Sequence, residues 1–296
     1  MPGRFENPPL VYVTAMVRTT PRPPLDEDQW RDLQQVLLRK GLKQPRRSSG
    51  REFSLSDLGH MINSEDGSSL KSAVKERVRW GFFDKEDAQS LILGQDFFEF
   101  RVANYEKYPG FKDRFLNLLE AIQTVDILGM LDVQELTLTY CDAIIPAYGT
   151  PLKNYFNADQ SVLPLDFISK HRESDLWQAG QLQVTRVVKP NQKISIQLEQ
   201  VPYDSDRGIG KWLTNNVTEP DAELAMPLKI RPEWKGKLFD VHYGLLSTEA
   251  SMLLKETLSD LDVGTFMDSL HKLTRETFDE IIDRSTCDRD WNFLPE

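Results

Sequence analysis

The chain has 296 residues, of which 36 are Lys or Arg and 46 are Asp or Glu, so its formal net charge is −10. Hydrophobic residues make up 40% of the chain and charged residues 28%, the composition of an ordinary globular protein. These values exclude a collagen, a disulfide-rich miniprotein and a wholly disordered chain. The acid excess also argues against a protein that coats nucleic acid, because phosphate binding needs a positive surface.

The cysteine count and the apolar pattern together predict a compartment. Cys141 and Cys287 are the only cysteines and lie far apart in the sequence. The first residues lack the apolar run of a signal peptide, and no stretch approaches the ~20 apolar residues of a membrane span. We therefore expect a cytoplasmic protein with reduced cysteines and no membrane contact.

The N-terminal part predicts strands interleaved with two helices. A helix begins after Asp26, where acidic residues suit the positive end of the helix dipole, and ends near Gly41. A second helix over 111–125 has apolar residues at helical spacing. Strands are predicted at 10–17, 77–83, 90–93, 97–105 and 136–140. The short turns between 77 and 105 favour an antiparallel meander.

The C-terminal part predicts a hairpin, further strands and terminal helices. The hairpin joins 182–188 to 194–198 through a polar tip. Alternating apolar runs occupy 224–230 and 239–245, and helices are predicted at 165–170, 247–260 and 264–282.

Each part therefore reads as several antiparallel strands followed by a helix with one apolar face. This pattern predicts an α+β fold, with antiparallel sheets, helices packed on one face and two related-looking halves. Prolines and glycines are frequent between 145 and 180, which favours a domain junction there. We place the halves at 1–146 and 147–296.

Motifs that carry catalytic chemistry are missing from the sequence. It contains no Gly-x-Ser-x-Gly, no phosphate-binding loop and no His-Glu-x-x-His. The four histidines, at 60, 171, 242 and 271, have no cysteine or second histidine at metal-ligand spacing. The sequence thus indicates no catalytic residue, no cofactor and no metal, and it favours a protein that is not an enzyme.

The strongest electrostatic signal is a basic segment over 39–51, which contains six basic residues and no acid. These residues are Arg39, Lys40, Lys43, Arg46, Arg47 and Arg51. Its glycine, proline and serine content predicts a solvated loop, and a polar stretch at 63–69 predicts a second exposed connection. The basic segment is therefore either a solubilising loop or a contact for a protein partner or nucleic acid.

Four groups of segments resemble a family of uncharacterised, sporadically distributed bacterial proteins with no established activity. They are 5–11; 97–105 with 108–111; 136–144; and 270–271 with 278–282 and Trp291. Members of the family carry an Arg-Tyr-Asn type ending on the central strand, from which Thr139-Tyr140-Cys141-Asp142 departs. Their patchy distribution is like that of mobile-element, toxin–antitoxin or defence genes. The resemblance implies no catalytic residue.

Three functions follow from these patterns. The first is a non-enzymatic module that binds a protein partner, as an antitoxin-like, immunity-like or accessory component of a bacterial toxin–antitoxin or defence locus. The second is a nucleic-acid-binding protein that uses the basic segment, whose affinity would fall steeply with salt. The third is an enzyme whose carboxylates meet only in the fold, marked by a concave pocket with acids of perturbed pKa. Any of the three is compatible with a homo-oligomer.

Overall fold

A computed structural model of the chain describes residues 3–53, 74–147, 149–157, 179–203, 209–228, 230, 234 and 242–295. Its main element is a nine-stranded antiparallel sheet of order β3-β4-β5-β6-β2-β7-β10-β9-β8, while β1 and β11 form a separate ribbon. The strands are β1 (Gly3–Phe5), β2 (Leu10–Thr19), β3 (Gln44–Phe53), β4 (Val74–Phe83), β5 (Gln89–Leu93), β6 (Phe97–Val102), β7 (Asp132–Ile144), β8 (Gly180–Lys189), β9 (Gln192–Pro202), β10 (His242–Thr257) and β11 (Phe293–Pro295).

Helices complete a mixed fold, so the predicted α+β class is confirmed. The helices are α1 (Glu27–Arg39), α2 (Tyr108–Gln123), α3 (Asp126–Gly129), α4 (Val263–Ile281) and α5 (Arg284–Asp290), with a 3-10 turn at Leu152–Tyr155. Helix α1 begins as predicted, because Asp26 accepts a hydrogen bond from the Gln29 backbone while the Gln29 side chain accepts one from the Asp26 backbone. The predicted α2, α4 and β8–β9 hairpin are also present.

The main core lies between one face of the large sheet and α1, α2 and α4. Phe115 of α2 is fully buried and stacks on Phe100 of β6, with 6.2 Å between ring centroids. Met267 and Leu270 of α4 belong to the same core cluster. The apolar face predicted for each helix is therefore the face that packs on the sheet.

The opposite face of the sheet is covered in part by residues 209–228, which form no regular element. Trp212 and Leu213 pack near Tyr243 and Leu245. Glu219 fixes the segment to the sheet through a two-point pairing with Arg79, at 2.7 and 3.0 Å. An apolar contact and a buried ion pair thus hold an irregular segment in place.

The sheet runs without interruption between the two predicted halves. Strand β7 lies before residue 146 and β10 after it, yet they pair antiparallel from Gly244 with Ile144 to Thr257 with Asp132. A β-bulge after Leu253 shifts their register near one end. The division at 146 and 147 remains a prediction.

The helix predicted at 247–260 is wrong, because most of this segment belongs to β10. Side chains in this segment alternate between the two faces of the sheet, as they do in a strand. Ala250 and Met252 face the main core, while Ser247 points to the other face and contacts Asn216. Pairing with β7 on one side and β9 on the other outweighs the apolar spacing that suggested a helix.

Several other expectations have mixed outcomes. The alternating run at 224–230 contains no strand among its described residues. The connection at 63–69, the helix at 165–170 and residues 239–241 lie outside the described residues.

Cys141 and Cys287 are both buried free thiols. Within the described ranges, no helix is both long and apolar enough to cross a bilayer.

Candidate functional site

A cleft of about 850 Å³ opens on the helical side of the sheet. Strands β2, β7 and β10 supply its floor, with Leu10, Tyr140, Asp142 and Thr248. Its walls come from α4, from the residues around the start of α2 and from the β1–β11 ribbon. The walls present Phe5, Tyr105, Tyr108, Phe278, Leu294 and four prolines. This cleft combines an aromatic lining with a small number of polar groups, as ligand sites in proteins do.

Asp142 is the buried acid of the floor. Its position on β7, opposite Leu10 of β2 and Leu246 of β10, leaves the residue only 4% exposed. No hydrogen-bond donor among the described residues reaches its carboxyl group. Burial raises the pKa of Asp142 to about 7, against the opposing charge of Arg275. A carboxylate without a hydrogen bond is costly to bury, so burial favours the neutral form of this group.

Tyr140 and His271 form the adjacent polar pair. The Tyr140 hydroxyl lies 2.9 Å from His271 Nδ1, and the imidazole ring stacks on Tyr108 with 3.7 Å between centroids. Burial, together with the nearby Arg275, lowers the pKa of His271 to about 4. The imidazole is therefore neutral at pH 7 and acts through hydrogen bonding.

The tyrosines of the cleft stay protonated. Burial raises the pKa of Tyr105 to about 12 and the pKa of Tyr140 well above 10. The two rings meet edge to face at 5.8 Å. Neither phenol is an activated nucleophile, so these side chains supply contact area and neutral hydrogen-bonding groups.

Arg275 is the cation whose charge acts on the buried acid. Its Nε atom lies 3.2 Å from Asp279 Oδ2, one turn further along α4. Asp279, on the same helix, therefore compensates part of the positive charge of Arg275. The Arg275 side chain makes no ion pair with Asp142. Across the described residues, no cluster of three or more His, Cys, Asp or Glu side chains is placed to hold a metal ion.

The prediction of a loop over 39–51 is wrong for most of that segment, although Arg39, Lys43 and Arg47 are exposed as expected. Residues from Gln44 onward form β3, which pairs with β4 from Gln44–Phe83 to Phe53–Val74. Leu42 is buried in the main core, and Ser48 is buried and bonded to Asp221. Strand β4 offers a full row of backbone partners, which outweighs the turn-forming composition of the segment.

The six predicted contact residues lie at the end of α1, in the connection that follows it and along β3. Arg39 ends α1, Lys40 follows as its C-cap and Lys43 precedes β3. On β3, Arg46 pairs with Asp87 at 2.6 Å and lies over the Phe83 ring, whereas Arg47 faces the other side near Trp80. Arg51 lies further along the same strand. The alternation of a strand therefore separates charges that are adjacent in sequence.

Sequence reasoning missed Asp142, although a signal was present. Leu138, Tyr140 and Asp142 have the same parity on β7, so the alternation that buries the first two also buries the carboxyl group. His271 of α4 and Tyr108 of α2 reach the cleft only through packing of distant elements. No local pattern could have joined them to β7.

Neither a protein-family model nor a curated protein matches the chain. All four groups of segments that suggested a family resemblance contribute side chains to the cleft. They supply Phe5, Pro8, Pro9, Leu10, Tyr105, Tyr108, Pro109, Tyr140, Asp142, His271 and Phe278. The resemblance itself remains a prediction.

Proposed function

We propose that this protein is a non-enzymatic module that binds a protein partner in the Asp142 cleft. The observation that carries the proposal is a buried carboxyl group without a hydrogen bond at the bottom of an aromatic cleft. In this proposal the protein serves as a neutralising or accessory component of a bacterial toxin–antitoxin or defence locus.

The character of the lining supports a protein partner. Tyr105, Tyr108 and Tyr140 each present a large ring with a polar tip, and tyrosine gives much contact area at a low cost in side-chain entropy. Leu294 at the cleft is 37% exposed and adds an apolar contact. The net charge of −10 favours rapid association with a basic partner.

The test is affinity purification from the native host with the wild type and two matched variants. Leu294→Lys places a charge at the cleft without disturbing a buried position. Met130→Lys is the control, because Met130 is 73% exposed and precedes β7 at the end away from Asp142. We expect one protein to co-purify with the wild type and Met130→Lys and to be lost with Leu294→Lys. Equal recovery by all three would contradict the proposal.

The same eluates test the nucleic-acid alternative. Nucleic acid in place of protein, released by raising the salt concentration, would favour binding through basic residues. Because Arg46 and Arg47 lie on opposite faces of β3, we do not expect that result.

A second candidate function is proton transfer on a bound substrate. The observation that favours it is the pKa of about 7 for Asp142, a value suited to a general acid or base. Incubation of a host metabolite extract with the wild type and with Asp142→Asn tests it. A compound consumed by the wild type alone would support an enzyme.

A further inference from the structure

Three polar side chains near Asp142 already have partners, whereas the Thr248 hydroxyl, like the Asp142 carboxyl group, has no hydrogen bond among the described residues. Tyr140 contacts His271, Thr274 donates to the backbone oxygens of Leu270 and His271, and Arg275 is bound to Asp279. Within the described lining, Asp142 is the buried ionisable group without such a partner.

We propose that the cleft receives one cationic side chain, a lysine or an arginine, from the partner protein, with Asp142 as its counter-ion. This inference rests on the proposed function, because it names the anchor by which the partner is held. A buried carboxylate and a cation compensate each other's loss of hydration, which neither an apolar nor an anionic group could do here.

The walls suit such a side chain. Tyr105, Tyr140 and Phe278 present aromatic groups that can pack on the alkyl stem of a lysine or arginine, and ring faces attract cations. A partner cation that reaches Asp142 therefore meets apolar surface along its length and a carboxyl group at its end.

The charged groups that surround Asp142 permit a cation. Arg275 of α4 pairs with Asp279, which also pairs with Arg284 of α5, and His271 of α4 is neutral at pH 7. Before α2, Glu106 and Lys107 are exposed neighbours of opposite charge at the rim. On the floor, Tyr140 and Thr248 are uncharged. The added cation is repelled mainly by Arg275, and Asp279 reduces that repulsion.

Binding of the partner's cationic side chain should depend on pH, because Asp142 must be ionised to act as its counter-ion. With a pKa of about 7, Asp142 is mostly neutral at pH 5.5 and mostly ionised at pH 8.5. The ionised fraction changes roughly 30-fold between these values, so cation affinity should rise by about that factor when only the ionised form binds it. Affinity for a neutral molecule of the same shape should change far less.

The probes are Nα-acetyl-arginine amide and Nα-acetyl-citrulline amide, which have similar shapes but differ in charge. Binding to the full chain is followed by NMR titration at pH 5.5 and 8.5. We expect the arginine probe to bind the wild type, to bind more tightly at the higher pH, and to shift the amide signals of Tyr140 and Thr248. The citrulline probe should bind weakly at both pH values.

Asp142→Asn is the matched variant, since it keeps the shape of the side chain and removes its charge. We expect it to lose the pH dependence and at least tenfold of the affinity for the arginine probe. Equal binding of the two probes, equal binding by the variant, or no binding of the arginine probe at its solubility limit would each overturn the inference.

Partner capture separates this inference from the proposed function. Loss of the partner with both Leu294→Lys and Asp142→Asn supports both. If Leu294→Lys loses the partner while Asp142→Asn retains it, the cleft binds the partner and the cationic anchor is wrong. If both variants retain the partner, the proposed function itself fails.

Discussion

The rings of Tyr108 and His271 stack face to face, 3.7 Å apart and 8° from parallel. Tyr108 begins α2 and His271 lies in the middle of α4, so the stack joins two helices that are distant in sequence. The Tyr108 hydroxyl also donates to Asp268 of α4 at 2.9 Å. One side chain thereby fixes the width of the cleft by a ring contact and a hydrogen bond.

Tyr108→Ala should destabilise the fold more than Tyr108→Phe. The alanine variant loses the stack and the hydrogen bond, whereas the phenylalanine variant keeps the stack. We expect losses of about 2 kcal/mol and about 0.5–1 kcal/mol, respectively, in the free energy of unfolding. Urea titration of the two variants measures the difference, and equal losses would show that the ring contact contributes nothing.

Asp142→Asn should be more stable than the wild type at pH 8 and similar to it near pH 4. The folded-state pKa of about 7 lies above that of an unfolded aspartate, so the folded state binds the proton more tightly. The free energy of unfolding of the wild type therefore falls by at most about 4 kcal/mol as the pH rises from about 4 to 7. The asparagine variant has no carboxyl group at this position and should not show this decrease. Thermal unfolding of both proteins from pH 4 to 8 checks the sign. A stability difference that is independent of pH would contradict the assignment of the buried group.

Glu219→Gln should loosen the segment 209–228. Burial alone raises the pKa of Glu219, but hydrogen bonds from Arg79 and Arg101 together outweigh burial and lower it. Removing the charge leaves two buried guanidinium groups with less compensation, and we expect a loss of about 3 kcal/mol. Hydrogen exchange should accelerate around Trp212 and Leu224. Glu223→Gln, at an exposed position nearby, is the control and should leave the exchange unchanged.

Arg46→Ser should cost more stability than Arg47→Ser. Arg46 pairs with Asp87 and covers the Phe83 ring, whereas Arg47 is exposed. We expect a loss of about 1 kcal/mol for the first and less than about 0.5 kcal/mol for the second. Denaturation at low and high salt separates the charge from the packing, since salt weakens only the ion pair. The reverse order of the two losses would contradict the different environments of adjacent arginines on β3.

Much of the fold is predictable from periodicity. Leu33 and Leu37 of α1 and Phe111 and Phe115 of α2 recur at helical spacing, and the structure buries all four. The predictions fail where neighbours decide the outcome. Residues 44–53 contain a proline, a glycine and four charged residues, yet β4 supplies the hydrogen bonds that make them a strand.

The candidate site, too, is only partly predictable from the sequence. The burial of Asp142 follows from the alternation of β7, because every second residue from Leu136 to Ile144 faces the side of the sheet that carries the main core. The approach of His271 and Arg275 depends on how α4 crosses the sheet, which no local pattern encodes. Sequence alone can therefore locate a buried acid, while the groups that surround it require the assembled structure.

The pairing of β7 with β10 has a consequence for synthesis on the ribosome. Gly244 pairs with Ile144, although about 100 residues separate them in the chain. Contacts between residues so far apart in sequence form slowly. Until β10 emerges, β2 can pair with one edge of β7, but the other edge lacks the strand that will occupy it. A nascent chain paused in that interval exposes a long row of backbone donors and acceptors to other chains. We expect aggregation during expression to begin at this edge, and slower translation after residue 144 to increase it.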